Sequence, residues 1–158
     1  MVKTKIAYTI LGEGLGHSIR SIPIIIELRK RYSVDVIVTS KRAYDFMKAS
    51  IQDIKYIEGP GFIYENNKVN IIKTLKKNYH ELIPLFLNVG ESSSFEKIVS
   101  FIKRSDPEVI VTDFELLTLA TSDRHNIPII CVCNNHSMTN FKYNAREFDI
   151  YIGNGYCV

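Results

Sequence analysis

The chain alternates between two hydrophobic periods. Lys5 to Leu11 (KIAYTIL) is a short apolar run of the kind that forms a buried strand. From Ile19 the spacing changes: Ile19, Ile22 and Ile26, with Ile25 and Leu28 beside them, recur at the helical period as far as Arg31. Val34 to Thr39 (VDVIVT) predicts a second strand and Arg42 to Ala49 a short helix. Ile54 to Ile57 predicts a third, weaker strand that runs into the turn Glu58-Gly-Pro-Gly61. Asn67 to Arg104 is helical in pattern twice over. The break falls at Val89-Gly90-Glu91-Ser92, where Gly90 can end one helix and the serines can cap the next. Glu108 to Thr112 (EVIVT) predicts a fourth strand, Glu115 to Arg124 a helix and Pro128 to Cys133 (PIICVC) a fifth strand, with Asp149 to Ile152 a candidate sixth.

Strand followed by helix, repeated in this order, predicts an α/β fold: a Rossmann-like parallel sheet with helices on both faces and right-handed crossovers. At 158 residues the chain suits a single domain over 1–158, since about two thirds of the unfolded surface can be buried at that size. In open parallel sheets the ligand sits beyond the carboxyl ends of the strands. Three polar clusters fall there: Gly12 to Arg20 after the first strand, Thr112-Asp-Phe-Glu115 after the fourth, and Asn134-Asn-His136 after the fifth. Together they form one candidate site.

The first cluster is the most distinctive. "TILGEGLGHSIRS" places Gly12, Gly14 and Gly16 on alternate positions immediately before His17. Glycines so spaced allow positive φ and a close approach of backbone to ligand, and amides at the start of a helix can hold an anion such as a phosphate. A glycine turn that serves packing alone reads the same way. Pro23 lacks an amide hydrogen and fits a first helical turn better than an interior. It therefore predicts a regular helix from near Ser21 and a ligand loop from Gly12 to Arg20. His17, directly after the glycines on the ligand rim, is a candidate general base. The spacing is not that of a dinucleotide fingerprint, and Ser40, Lys41 and Arg42 stand where an acidic ribose ligand would follow the second strand. Lys41 and Arg42 could instead meet an NADP 2′-phosphate. The Gly-Lys-Ser/Thr ending of a P-loop is absent.

Composition narrows the class further. A net charge of +3 with basic residues spread along the chain gives no argument for nucleic acid. Cys131, Cys133 and Cys157 form no C-x-x-C pair, and their odd count suits a reducing, cytoplasmic setting. The sequence predicts neither a signal peptide nor a transmembrane helix. Asp113, Glu115, His17 and His136 do not show close metal-ligand spacing, so no metal is expected. In "NIIKTLKKNYHELIPLFLNV", Ile71, Ile72, Leu75, Tyr79, Leu82 and Ile83 can share a helical face, with Lys73, Lys76 and Lys77 beside or opposite it. This reads as a core helix with a solvated lysine face, or as a peripheral contact with anionic lipid.

"GEGLGHSIR", "VTDFELL" and "CNNH", in this order and each after a strand, resemble the amino-terminal domain of GT-B glycosyltransferases. The branch is the one akin to the peptidoglycan N-acetylglucosaminyltransferase and diacylglycerol glycosyltransferases. The resemblance implies one half of a fold in which two Rossmann-like domains face each other across a cleft. This acceptor-side half holds a sugar or lipid-linked acceptor, and a carboxyl-terminal half binds a nucleotide-sugar. By this reading the donor half is not expected within these 158 residues, which makes the chain an excised domain or the partner of a separate subunit, expected to be inactive alone. By resemblance, His17 deprotonates the acceptor hydroxyl and Asp113 orients the histidine. Gly12, Gly14 and Gly16 can admit phosphate oxygens. Glu13 and Glu115 are candidate contacts to sugar hydroxyls or alternative bases, Arg20 pairs an acceptor phosphate or covers the helix, and Asn134, Asn135 and His136 bind acceptor or cap and turn the chain after the fifth strand. No cofactor is implied, the nucleotide-sugar being the donor substrate. The alternative is a Rossmann-like nucleotide or NADP-binding module without transferase activity.

Overall fold

The computed structural model describes residues 3–12, 14–66, 68–87, 93–113, 115, 118 and 126–132. Its centre is β1 (Lys5–Ile10), buried from Ile6 onward. It pairs in parallel with β2 (Ser33–Val38) on one side and with β6 (Val109–Asp113) on the other. β3 (Ile54–Tyr56) and β7 (Ile129–Cys131) extend the sheet outward, giving the order β3-β2-β1-β6-β7 with every pairing parallel. A strand flanked on both edges and covered on both faces has no solvent side, which is why KIAYTI reads as an apolar run rather than an alternation.

Alternate strand residues serve opposite layers. Tyr8, Ile10, Val36, Val38 and Val111 pack with Ile25 of α1 (Leu15–Arg29) and with Ala43 and Met47 of α2 (Lys41–Met47). Ala7, Ile37 and Ile110 face the other way, against Phe95, Ile98, Phe101 and Ile102 of α4 (Ser93–Ser105). The expected parallel α/β sandwich is thus present. The predicted helix over 115–124, most of it, and the candidate strand at Asp149 to Ile152 lie outside the described residues.

Two expectations are corrected. The first concerns α1, which begins at Leu15 rather than near Ser21 and runs through Pro23. The hydrogen bond that proline forfeits is the one to the carbonyl of Ile19. Pro23 and Ile19 both lie on the exposed side of α1, while Ile22, Ile25 and Leu28 anchor the opposite side to the sheet. The apolar stripe outweighs a single lost bond on the solvent face.

The second correction is α3 (Ile71–Leu87). Its described first half buries a polar stripe, Thr74 and Asn78, and exposes Ile71, Ile72, Leu75 and Tyr79. The Asn78 amide donates to Gly61 O at 2.8 Å and accepts from Gly61 N at 3.0 Å, and the Thr74 hydroxyl accepts from Ile63 N at 2.9 Å. The helix therefore holds the 61–63 backbone with its polar side. A small antiparallel hairpin, β4 (Tyr64–Glu65) and β5 (Lys68–Val69), precedes it. Strands of two residues leave no periodic signal in sequence.

Candidate active site

The early start of α1 decides the geometry. With helix from Leu15, the residues His17, Arg20 and Ser21 fall at i, i+3 and i+4 and share one face. Asp113 ends β6 opposite Ile10, which ends β1. The strand order reverses between these two strands, so the crevice beyond them is the topological switch point where open α/β sheets bind ligands. His17 and Asp113, 96 positions apart, meet there: Nδ1 lies 2.7 Å from Oδ1.

The Asp113 side chain has no exposed surface, against 20 % for His17 and 41 % for Arg20. Its carboxylate takes contacts from three side chains of α1. Oδ1 meets His17 Nδ1 and the Arg20 guanidinium; Oδ2 meets Arg20 Nε at 2.7 Å and the Ser21 hydroxyl at 3.2 Å. Two partners on each oxygen fill the lone-pair positions of a carboxylate. Burial pushes the Asp113 carboxyl up, but the hydrogen bonds and charges of Arg20 and His17 together outweigh it and hold the group below the usual carboxylate range.

Donor and acceptor rules then assign the histidine tautomer. An ionised carboxylate only accepts, so Nδ1 of the neutral ring carries the proton and Nε2 carries the lone pair. A guanidinium nitrogen of Arg20 also lies 2.9 Å from Nδ1. Because arginine cannot accept and Nδ1 is already donating, that approach is packing rather than a hydrogen bond.

The glycines divide their tasks. A Cβ on Gly12 would lie 2.1 Å from Ser40 Cβ. Ser40 donates to Gly12 O at 2.8 Å while accepting from Ala43 N at 3.2 Å to cap α2. Gly12 therefore closes the first loop onto the second. Gly14 holds φ 77 and starts α1, whose first turn contains no acidic residue. Gly16 faces open space, with nothing within 4 Å of where its Cβ would be.

The remaining candidates separate. Glu115 is buried and accepts from Thr118 N at 2.7 Å and Thr118 Oγ1 at 2.5 Å, with its own amide donating to Thr112 Oγ1 at 3.2 Å; it caps the chain that leaves β6. Glu13, Asn134, Asn135 and His136 lie outside the described residues. Of the cations considered for a 2′-phosphate, Lys41 is paired with Asp45. No three His, Cys, Asp or Glu side chains gather in a metal-holding arrangement among the described residues. Ser21, and behind it Tyr8, were not singled out from the sequence. A serine four residues after His17 is the only trace they leave.

Comparison with known proteins agrees with this architecture. A 27 % identical relative, an uncharacterized glycosyltransferase of Methanosarcina mazei, matches over 149 residues, 91 % of this chain and 36 % of the relative. The crystal structure of MurG from Acinetobacter baumannii superimposes with a TM-score of 0.54 at 11 % identity, covering 85 % of this chain and 38 % of that one. The chain thus spans little more than a third of the length of either. It carries the Rossmann-like fold of a GT-B glycosyltransferase domain, as the glycine-histidine loop led us to expect, and the NADP-module alternative finds no support. The model of glycosyl transferase family 1 matches residues 4–152, nearly the whole chain, and the chain belongs to that family.

Proposed function

We propose that the chain is the acceptor-side half of a glycosyltransferase moving a sugar from a nucleotide-sugar to a hydroxyl acceptor, with His17 as general base. The observation that carries this reading is the 2.7 Å contact of His17 Nδ1 with the buried Asp113 at the switch point. The acceptor O–H gives its proton to Nε2. The oxygen forms the bond to the anomeric carbon, and the bond to the nucleoside diphosphate breaks with its electron pair leaving on phosphate. Asp113 stabilises the imidazolium through Oδ1, an electrostatic role that needs no proton transfer to the carboxylate. Gly14, Gly16 and the start of α1, whose first turn carries no acidic residue, offer backbone amides to phosphate oxygens. Gly12 and Glu115 shape the two loops that frame the crevice. Arg20, with its partly exposed guanidinium, and Glu13, Asn134, Asn135 and His136 supply contacts to the acceptor. The reaction uses no resident cofactor.

A donor-binding half, in the same polypeptide or as a separate subunit, completes the enzyme. With that half supplied, sugar transfer is expected, and His17→Ala should lower turnover by about a hundredfold or more, the scale of a positioned base. Asp113→Asn should cost less turnover per folded molecule. The 158-residue chain alone should transfer nothing. Full turnover by His17→Ala, or robust transfer by the isolated chain, overturns the assignment.

A finer location belongs to the same proposal and is supported by α3. Among the described residues no helix is long and apolar enough to cross a membrane. We place the half in the cytoplasm at a membrane surface, where a lipid-linked acceptor would be presented, on the strength of the surface of α3 rather than of that absence. The exposed apolar side of α3, bordered by Lys68, Lys76 and Lys77 and by Lys73 in its ion pair with Glu65, supports that placement.

A further inference from the structure

Behind Asp113 stands a layer that proton transfer does not itself use. Ser21 on α1 and Tyr8 on β1 are both fully buried. Tyr8 Oη lies 3.3 Å from Ser21 Oγ, and Ser21 Oγ lies 3.2 Å from Asp113 Oδ2. The direction of both bonds is forced. An ionised carboxylate only accepts, so Ser21 spends its single proton on Asp113 and must accept from the Tyr8 phenol. Burial pushes that phenol up to about 12, and it remains a donor throughout the neutral range.

We propose that Ser21 and Tyr8 are positioning residues for the base: their buried chain fixes Oδ2 of Asp113, so that Oδ1 faces His17 Nδ1 and Nε2 is kept as the accepting nitrogen. For its catalytic meaning this rests on His17 acting as the base. Arg20 alone does not secure the carboxylate. Its side chain is 41 % exposed, so an anionic ligand in the crevice competes for its guanidinium, whereas no ligand reaches Ser21 or Tyr8. A helical serine also has an alternative acceptor, the carbonyl four residues back, which here belongs to His17. A donor on the far side of its oxygen polarises the hydroxyl toward the carboxylate instead.

The test needs no turnover. In the 158-residue chain with ¹⁵N-labelled histidine, NMR reads the tautomer ratio of the neutral His17 ring, and carboxyl ¹³C shifts read the titration of Asp113. The intact protein should show His17 predominantly as the Nδ1–H form. Ser21→Ala should move the ratio toward Nε2–H by about fivefold, the scale of one hydrogen bond, and raise the pH at which Asp113 titrates. Tyr8→Phe, which keeps the ring and its packing, should move both in the same direction by less. Ile25→Val, a loss of packing on the same buried face of α1, should lower stability and leave both readings in place. If Ser21→Ala and Tyr8→Phe shift the ratio no more than Ile25→Val does, the positioning role is overturned while the base assignment stands. Full turnover by His17→Ala in the completed enzyme overturns the base assignment while the tautomer measurement stands.

Discussion

Asp113 shows how a charged residue becomes tolerable inside a sheet. Its carboxylate has no exposed surface, yet it meets a guanidinium, an imidazole and a hydroxyl that all come from two turns of one helix. Removing one partner of such a cluster leaves buried donors unmatched, which costs more than the intact cluster contributes. Asp113→Asn should therefore destabilise the fold at pH 7 by about 3 kcal/mol. The pH dependence has a definite sign. A carboxyl titrating lower in the folded than in the unfolded chain adds stability above the unfolded value of about 3.9, and that contribution drains as pH falls through the lowered folded value. Urea unfolding followed from pH 7 down to the acid range should show wild type and Asp113→Asn converging. Parallel curves would mean that Asp113 is not held as the ionised form. The meeting of His17 and Asp113 was legible in sequence because one follows the glycine loop after β1 and the other closes β6, and neighbouring parallel strands bring their carboxyl ends to one rim. Tyr8 and Ser21 were not legible. A tyrosine within an apolar strand and a serine within a helix look like ordinary filling until the register of β1 places one beneath the other.

Elements were legible in their axis but not in their limits or orientation. The strands announced themselves because central parallel strands are apolar throughout, and all five strands of the main sheet fall within the predicted runs or a residue of them. The start of α1 did not, because proline chemistry argues for a boundary and the cost of ignoring it depends on which face is solvated. That start matters for function, since a helix beginning at Ser21 would leave His17 and Arg20 on a loop. It also gives Gly16 a testable oddity: an exposed glycine inside the first turn, with open space above it. Glycine there disfavours the helix by about 0.5–1 kcal/mol relative to alanine. Gly16→Ala should accordingly raise the melting temperature by about 2–3 °C. If the open space is where ligand approaches the amides, the same change should lower turnover in the completed enzyme. Stabilisation without any loss of turnover would remove Gly16 from the ligand contacts. Gly14 cannot serve for this test, because φ 77 strains any residue with a Cβ.

At the scale of the whole molecule, α3 is the place where a hydrophobic stripe misled. Periodicity locates a stripe but does not say whether the stripe faces the core. Here Thr74 and Asn78 take the inward side because they satisfy the backbone of the 61–63 loop, and Ile71 and Ile72 remain 67 % and 69 % exposed. Leu75 and Tyr79 on the same helix, Phe62 in the loop it holds, and Tyr64 and Val69 on the adjoining hairpin are exposed as well. An apolar patch of this kind marks an interaction surface, and with Lys73 paired to Glu65 the preference for an anionic cover rests on Lys68, Lys76 and Lys77. The 158-residue chain should therefore sediment with vesicles of phosphatidylcholine and phosphatidylglycerol, and much less with phosphatidylcholine alone. Raising salt should weaken the binding, since each lysine near such a surface contributes about 1 kcal/mol. Ile72→Glu with Leu75→Glu alters exposed positions only, so the fold should persist while vesicle binding falls at least tenfold. Lys76→Glu with Lys77→Glu should abolish the preference for the anionic lipid. Equal binding to both vesicle types would assign the patch to hydrophobic contact alone and overturn the electrostatic reading. No binding by the chain, together with a complex in which the donor half covers α3, would assign the patch to the partner half instead.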